Sequence, residues 1–128
     1  MKTKVSELTG SKLDWAVAKC EGADRLHVNP HRFEKRLIMQ MADRPVYFDT
    51  FRFSTDWSQG GPIIEREKIN THSNTTRMAK YPDSDWLADC PEHGQCVSFT
   101  GRTPLIAAMR CYVASKLGNE IDIPEELL

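Results

Sequence analysis

"TPLIAAMRCYVASKL", residues 103–117, followed by Gly118, is the stretch on which the fold turns. Thr103 has the hydroxyl of a good N-cap, and Pro104 falls at the first helical position, where its missing N–H is harmless. Leu105, Ile106, Met109, Val113 and Leu117 recur at helical spacing as one apolar stripe. Lys116 suits the negative end of a helix, and Gly118 suits the stop. A second helix is predicted over 11–21, "SKLDWAVAKCE". Leu13, Ala16, Val17 and Cys20 follow an i, i+3, i+4, i+7 pattern there, with Ser11 as N-cap and Gly22 as stop.

Both stripes need a partner surface. The intervening chain offers short strand-like runs: "PVYFDTFRF" (45–53), "IIERE" (63–67), "DSDWLAD" (83–89) and "CVSFT" (96–100). "TKVSEL" (3–8) reads as a strand or an extended arm, and the acidic tail "NEIDIPEELL" as extended up to Pro124. Residues 22–45 carry an Asn-Pro break and then "RLIMQM", a short helix or strand that would bury Leu37, Ile38 and Met41. Residues 68–82 hold six Ser, Thr or Asn in fifteen and read as a loop. The prediction is an α+β fold: a small, mainly antiparallel sheet with the N- and C-terminal helices packed on one face.

At 128 residues the chain fits a single domain, 1–128, able to bury a core without staples. No apolar run approaches the length of a membrane span, and "MKTKVSELTG" has no apolar region of a signal peptide, so a cytoplasmic protein is expected. Seventeen basic against eighteen acidic residues argue against a dedicated nucleic-acid binder. The basic segment "HRFEKRLIMQMADR", with Arg32, Lys35, Arg36 and Arg44 beside Phe33, is the one place where contact with a single strand is conceivable; a solvated face is the plainer reading. Cys20, Cys90, Cys96 and Cys111 are expected to be reduced, with Cys20 and Cys111 on apolar helix faces.

"FSTDWSQGGPIIERE", residues 53–67, is the leading candidate site. Read as a loop, its Gly60 and Gly61 permit close backbone approach, and Trp57 offers a flat face. Asp56, Gln59, Glu65 and Arg66 supply hydrogen bonds, a mixture found in small-molecule pockets. The competing reading is a strand reversal with Trp57 packed beneath it. "CPEHGQC", with Cys90, His93 and Cys96, has zinc-ligand chemistry. It lacks a second pair at finger spacing, so neither a metal nor another cofactor is expected. P-loop, GxGxxG and GxSxG patterns are absent, and Cys90 or Cys96 near His93 is a weak catalytic signal, so the reading leans away from an enzyme.

Three blocks carry a resemblance. "KVSELTGSKLDWAVAKCEG", "FSTDWSQGGPIIERE" and "GRTPLIAAMRCYVASKLG", in that order, resemble the phage NinX-like family, small proteins of lambdoid phages and prophages. Residues 23–51 and 70–96 depart more from that pattern. The resemblance implies a phage or prophage origin and an accessory role in the infected host's cytoplasm; it implies no reaction. The expected function is binding of a small-molecule or nucleotide-type ligand. The alternatives are a module that blocks a host protein and a weak nucleic-acid binder. Self-association into a homo-oligomer stays open.

Overall fold

The computed structural model describes residues 2–28, 36–74, 85–90 and 98–128. Within them run β1 (Lys2–Lys4), α1 (Gly10–Cys20), β2 (Asp24–Val28), β3 (Leu37–Gln40), β4 (Pro45–Tyr47), α2 (Trp57–Glu67), β5 (Asn70–Ser73), β6 (Trp86–Asp89), β7 (Phe99–Gly101), α3 (Pro104–Leu117) and β8 (Glu120–Asp122). The fold is α+β, and all strand pairing among the described residues is antiparallel. The strands divide into three small sheets, ordered β1-β8, β2-β3-β4 and β5-β6-β7. The first joins the chain's two ends, with Lys2 opposite Asp122 and Lys4 opposite Glu120.

α3 is the centre of the molecule. Thr103 Oγ1 accepts from the Ile106 N–H at 3.1 Å, Pro104 occupies the first turn, and Gly118 ends the helix at φ +91°. The helix touches α1, α2 and all three strands of the β5–β7 sheet. Burial therefore extends well round the helix, taking in Leu105, Ala107, Ala108, Met109, Cys111, Tyr112 and Val113. Of the expected stripe, Ile106 is only half-buried and Leu117, in the last turn, is exposed. α1 adds Leu13, Trp15, Ala16, Val17 and Ala18 to the same core. It begins one residue before Ser11, and Gly22, at φ +99°, stands just beyond its end.

Several expectations are revised. The strand predicted over 45–53 stops at Tyr47 and passes into a 3-10 turn at Phe48–Thr50. β5 forms inside the polar run read as a loop. Residues 37–40 take the strand alternative and bury Met39, with Leu37, Ile38 and Met41 only partly covered.

The largest revision is at 53–67: Trp57 to Glu67 is a helix, neither a loop nor a reversal leading into an "IIERE" strand. Four contacts account for it. Asp56 caps the helix, accepting from the Ser58 N–H at 2.9 Å and the Ser58 hydroxyl at 2.6 Å. The Gln59 amide closes on the preceding chain, accepting from the Arg52 N–H and donating to the Thr50 carbonyl, both at 2.8 Å. Gly60 lets the helix press against α3, because a Cβ there would lie 2.5 Å from both Leu105 Cδ1 and the Phe53 carbonyl oxygen. Ile63 is buried beneath the helix. Pro62 faces solvent, where it costs α2 one intrahelical hydrogen bond. Lys68 closes α2 in the left-handed region, at φ +53°.

Candidate functional site

The seven residues predicted for the site separate into three groups. Asp56, Gln59 and Gly60 build α2 through the contacts above. Trp57, Gly61 and Glu65 recur every fourth residue and share the outer face of α2. Trp57 is 53% exposed, and its ring edge would lie 3.9 Å from a Cβ at position 61.

Arg66 belongs to a charge cluster where the C-terminal parts of the three helices meet. Its guanidinium donates to both Glu21 oxygens, at 3.0 and 2.7 Å, and to the Tyr112 hydroxyl oxygen at 3.1 Å. The Tyr112 hydroxyl donates in turn to Glu21 Oε2 at 2.6 Å. Arg66 also reaches Glu67 Oε2 at 3.2 Å, and Lys116 Nζ lies 3.3 Å from Glu67 Oε1. Burial pushes the Glu21 carboxyl up, but the hydrogen bonds from Arg66 and Tyr112 outweigh it and hold it below the usual carboxylate range. Burial and the Glu21 charge raise the Tyr112 phenol. This cluster pairs its charges internally, and its role is to tie α1, α2 and α3 together.

A different place has the form of a site. Where the chain enters α1 and α3 begins, a cleft of about 430 Å³ is lined by Thr9, Arg102, Ile106 and Arg110. Ile106 and Arg110, four residues apart, stand above one another along one side of the α3 N-terminal half, while Arg102 precedes the helix, just before its cap Thr103. Arg110 is 1% exposed, and it donates from Nε to the Leu8 carbonyl at 2.9 Å and from Nη1 to the Thr100 carbonyl at 2.8 Å. These bonds fix a cation in the wall of the cleft and pin the chain before Thr9 to β7. Arg102, exposed, lies nearer the start of α3, whose helix dipole adds positive potential. Ile106 supplies apolar floor and Thr9 a hydroxyl. A volume of this size, an apolar wall and a few fixed polar groups are the ingredients of a small-molecule site.

Sequence reasoning passed over these residues because Thr9 and Arg102 are far apart in the chain. One signal was available: Arg110 interrupts the apolar run "LIAAMRCYV", where a charge is tolerated only with dedicated partners. A second hollow, of about 440 Å³, is lined by Arg25, Leu26, His27 and Gln40. Its polar groups are engaged locally, His27 Nδ1 at 3.2 Å from the Arg25 carbonyl and Gln40 Nε2 donating to the Met41 carbonyl at 2.9 Å.

The other sequence candidates resolve in part. Cys90 is buried against Cys111, with the sulfurs 2.9 Å apart, while His93 and Cys96 lie outside the described residues. Among the described residues no three His, Cys, Asp or Glu side chains group as metal ligands. In the basic segment Arg36 pairs with Asp49 at 2.7 Å and lies 3.7 Å over the Tyr47 ring; Arg32, Phe33 and Lys35 are outside the described residues. Among the described residues no helix is long and apolar enough to cross a membrane.

No curated protein matches the chain. A family model does, described as Bacteriophage P22, NinX, and it spans residues 4–116 of the 128. That span takes in α1, α2, the arginine cleft and all of α3 but its last residue. The chain belongs to the bacteriophage P22 NinX family.

Proposed function

We propose that this phage accessory protein is a non-enzymatic binder of an anionic small molecule of nucleotide type, acting in the cytoplasm of the infected host. The observation that carries the reading is the cleft between the entry to α1 and the first turns of α3. Two guanidinium groups flank an apolar residue there, with a hydroxyl beside them. The exposed Arg102 guanidinium suits phosphate, and the buried Arg110, whose Nε and Nη1 are given to the Leu8 and Thr100 carbonyls, adds fixed positive charge behind it. Ile106 gives a sugar or base edge something apolar to rest on. This moves the binding site from the 53–67 segment to α3, while keeping the class of ligand expected from the sequence.

A second reading, a docking face for a host protein on α2, is favoured by one observation. Trp57 keeps half its surface in water beside Gly61, and exposed tryptophans are common anchors in protein interfaces.

A thermal-shift panel of nucleoside mono-, di- and triphosphates and cyclic nucleotides separates the two. A ligand at 100 times its Kd stabilises the folded state by about 2.7 kcal/mol. The expected result is a raised Tm with at least one phosphate-bearing compound, lost in Arg102→Gln and retained in Trp57→Ala, each shift being measured against the same variant without ligand. A panel with no effect on the wild type, or an equal shift in Arg102→Gln, overturns the cleft reading.

A further inference from the structure

Three cysteines fall among the described residues, and they occupy unlike environments. Cys20, on α1, is half-buried, and burial together with the Glu21 charge pushes its thiol up to about 12. Cys90, just past β6, and Cys111, midway along α3, are each only 3% exposed and lie sulfur to sulfur at 2.9 Å. A disulfide bond is about 2.05 Å long, so less than about 1 Å of sulfur movement separates this contact from a covalent bridge.

We propose that Cys90 and Cys111 are a dithiol pair that a peroxide converts to a disulfide within the folded protein. The site is closed to bulky thiols and disulfides, because both side chains are buried, whereas hydrogen peroxide is about the size of two water molecules. Either sulfur can donate in their shared hydrogen bond, which pulls the Cys90 thiol below its usual range against burial, and we take Cys90 as the attacking sulfur. The Cys90 thiolate takes one oxygen from the peroxide, the O–O bond breaks and hydroxide leaves. Cys111 sulfur then displaces that oxygen from the sulfenic acid, and the S–S bond forms. Two thiols are oxidised, and one peroxide is reduced to two waters. The bridge ties the exit of β6 to the middle of α3, one residue from Arg110 in the cleft wall. Cys20, held as the thiol, is a bystander.

The test uses the full chain, reduced, freed of reductant and treated with a few-fold excess of hydrogen peroxide while folded. It is then denatured, alkylated and digested for peptide mass mapping. The expected result is loss of two of the four alkylatable thiols. The Cys90 and Cys111 peptides should be recovered joined, Cys20 alkylated, and the link reversed by dithiothreitol. In Cys111→Ser the same treatment should leave Cys90 as a sulfenic acid, captured by a 1,3-dione probe present as the chain is denatured. A link from Cys90 to Cys96 or to Cys20 overturns the proposal. So does a Cys90–Cys111 link that forms only when oxidation follows denaturation, or full alkylation of both thiols after treatment of the folded chain.

Discussion

α3 and α2 are both helices capped by an oxygen-bearing side chain, and α3 is legible from its residues where α2 is not. α3 has an alanine-rich, glycine-free interior and a proline only at its first position, so local preference and packing agree. α2 carries Gly60, Gly61 and Pro62 in its middle, three residues whose local preference opposes a helix. What makes it helical is tertiary: Gln59 binds backbone before the helix, Gly60 fits against Leu105, and Arg66 reaches Glu21. One helix packs because it is a good helix; the other is a helix because it packs.

The sharpest division should appear in the core of α3. Met109 is fully buried while Ile106, three residues earlier, is half-buried at the cleft. Met109→Ala should cost about 2–5 kcal/mol, the range for emptying a packed site. Ile106→Ala should cost less than half as much. Chemical denaturation of the two variants reads both values. A loss under about 0.5 kcal/mol for Met109→Ala would remove α3 from the centre of the fold.

The same comparison accounts for what the sequence reveals. Helix periodicity, Thr103, Pro104, Gly22 and Gly118 are local signals, and both terminal helices were readable from them. β6 and β7 were readable from their apolar and β-branched runs. β5 was hidden because it is an edge strand, with three of its four side chains exposed, so "NTHS" has no apolar alternation to betray it. The single expected sheet became three because pairing partners such as β1 and β8 lie at opposite ends of the chain. The candidate site was hidden for the same kind of reason. Asp56, Gln59 and Gly60 have the chemistry of a binding loop, and here they spend it on making a helix. The cleft unites Thr9 with Arg102, which no spacing rule connects.

The two adjacent glycines of α2 give the next test. A Cβ at position 60 meets backbone as well as side chain at 2.5 Å, whereas one at position 61 makes only an ordinary 3.9 Å contact with Trp57. Gly60→Ala should therefore destabilise by about 1–3 kcal/mol, as overpacking does. Gly61→Ala should leave the protein unchanged or stabilise it by up to about 1 kcal/mol, because alanine restricts the unfolded chain and favours helix. Melting temperatures of the pair check this. Equal effects at both positions would mean that α2 is not seated on Leu105.

The smallest expected effect is electrostatic and concerns the far end of α2. α3 joins its neighbours largely through apolar contact, but the last turn of α2 joins α1 and α3 through Arg66, Glu21, Tyr112, Glu67 and Lys116. Glu21 and Glu67 are both held below the usual carboxylate range by their hydrogen bonds, each against the opposing pull of burial. A carboxyl whose pKa is depressed by folding stabilises the protein above its unfolded value. That stabilisation is lost as pH falls through the folded value, so this contribution should be complete at pH 7 and decline below about pH 4.5. Asp14 has the opposite sign. Burial raises its pKa, so its contribution is greatest below its unfolded value and falls as pH rises through the folded one. The observed curve is the sum, and a variant is needed to isolate the cluster. Arg66 is half-exposed, and solvent screening limits what the pair is worth. Glu21→Gln should therefore cost only about 1 kcal/mol at pH 7, and its deficit relative to wild type should shrink toward pH 3 as the wild-type carboxylate takes up its proton. Melting temperatures measured from pH 7 to pH 3 give the difference directly. A deficit that stays constant across that range would make the Glu21 contribution one of shape and not of charge, and α2 would then be held in the same manner as α3.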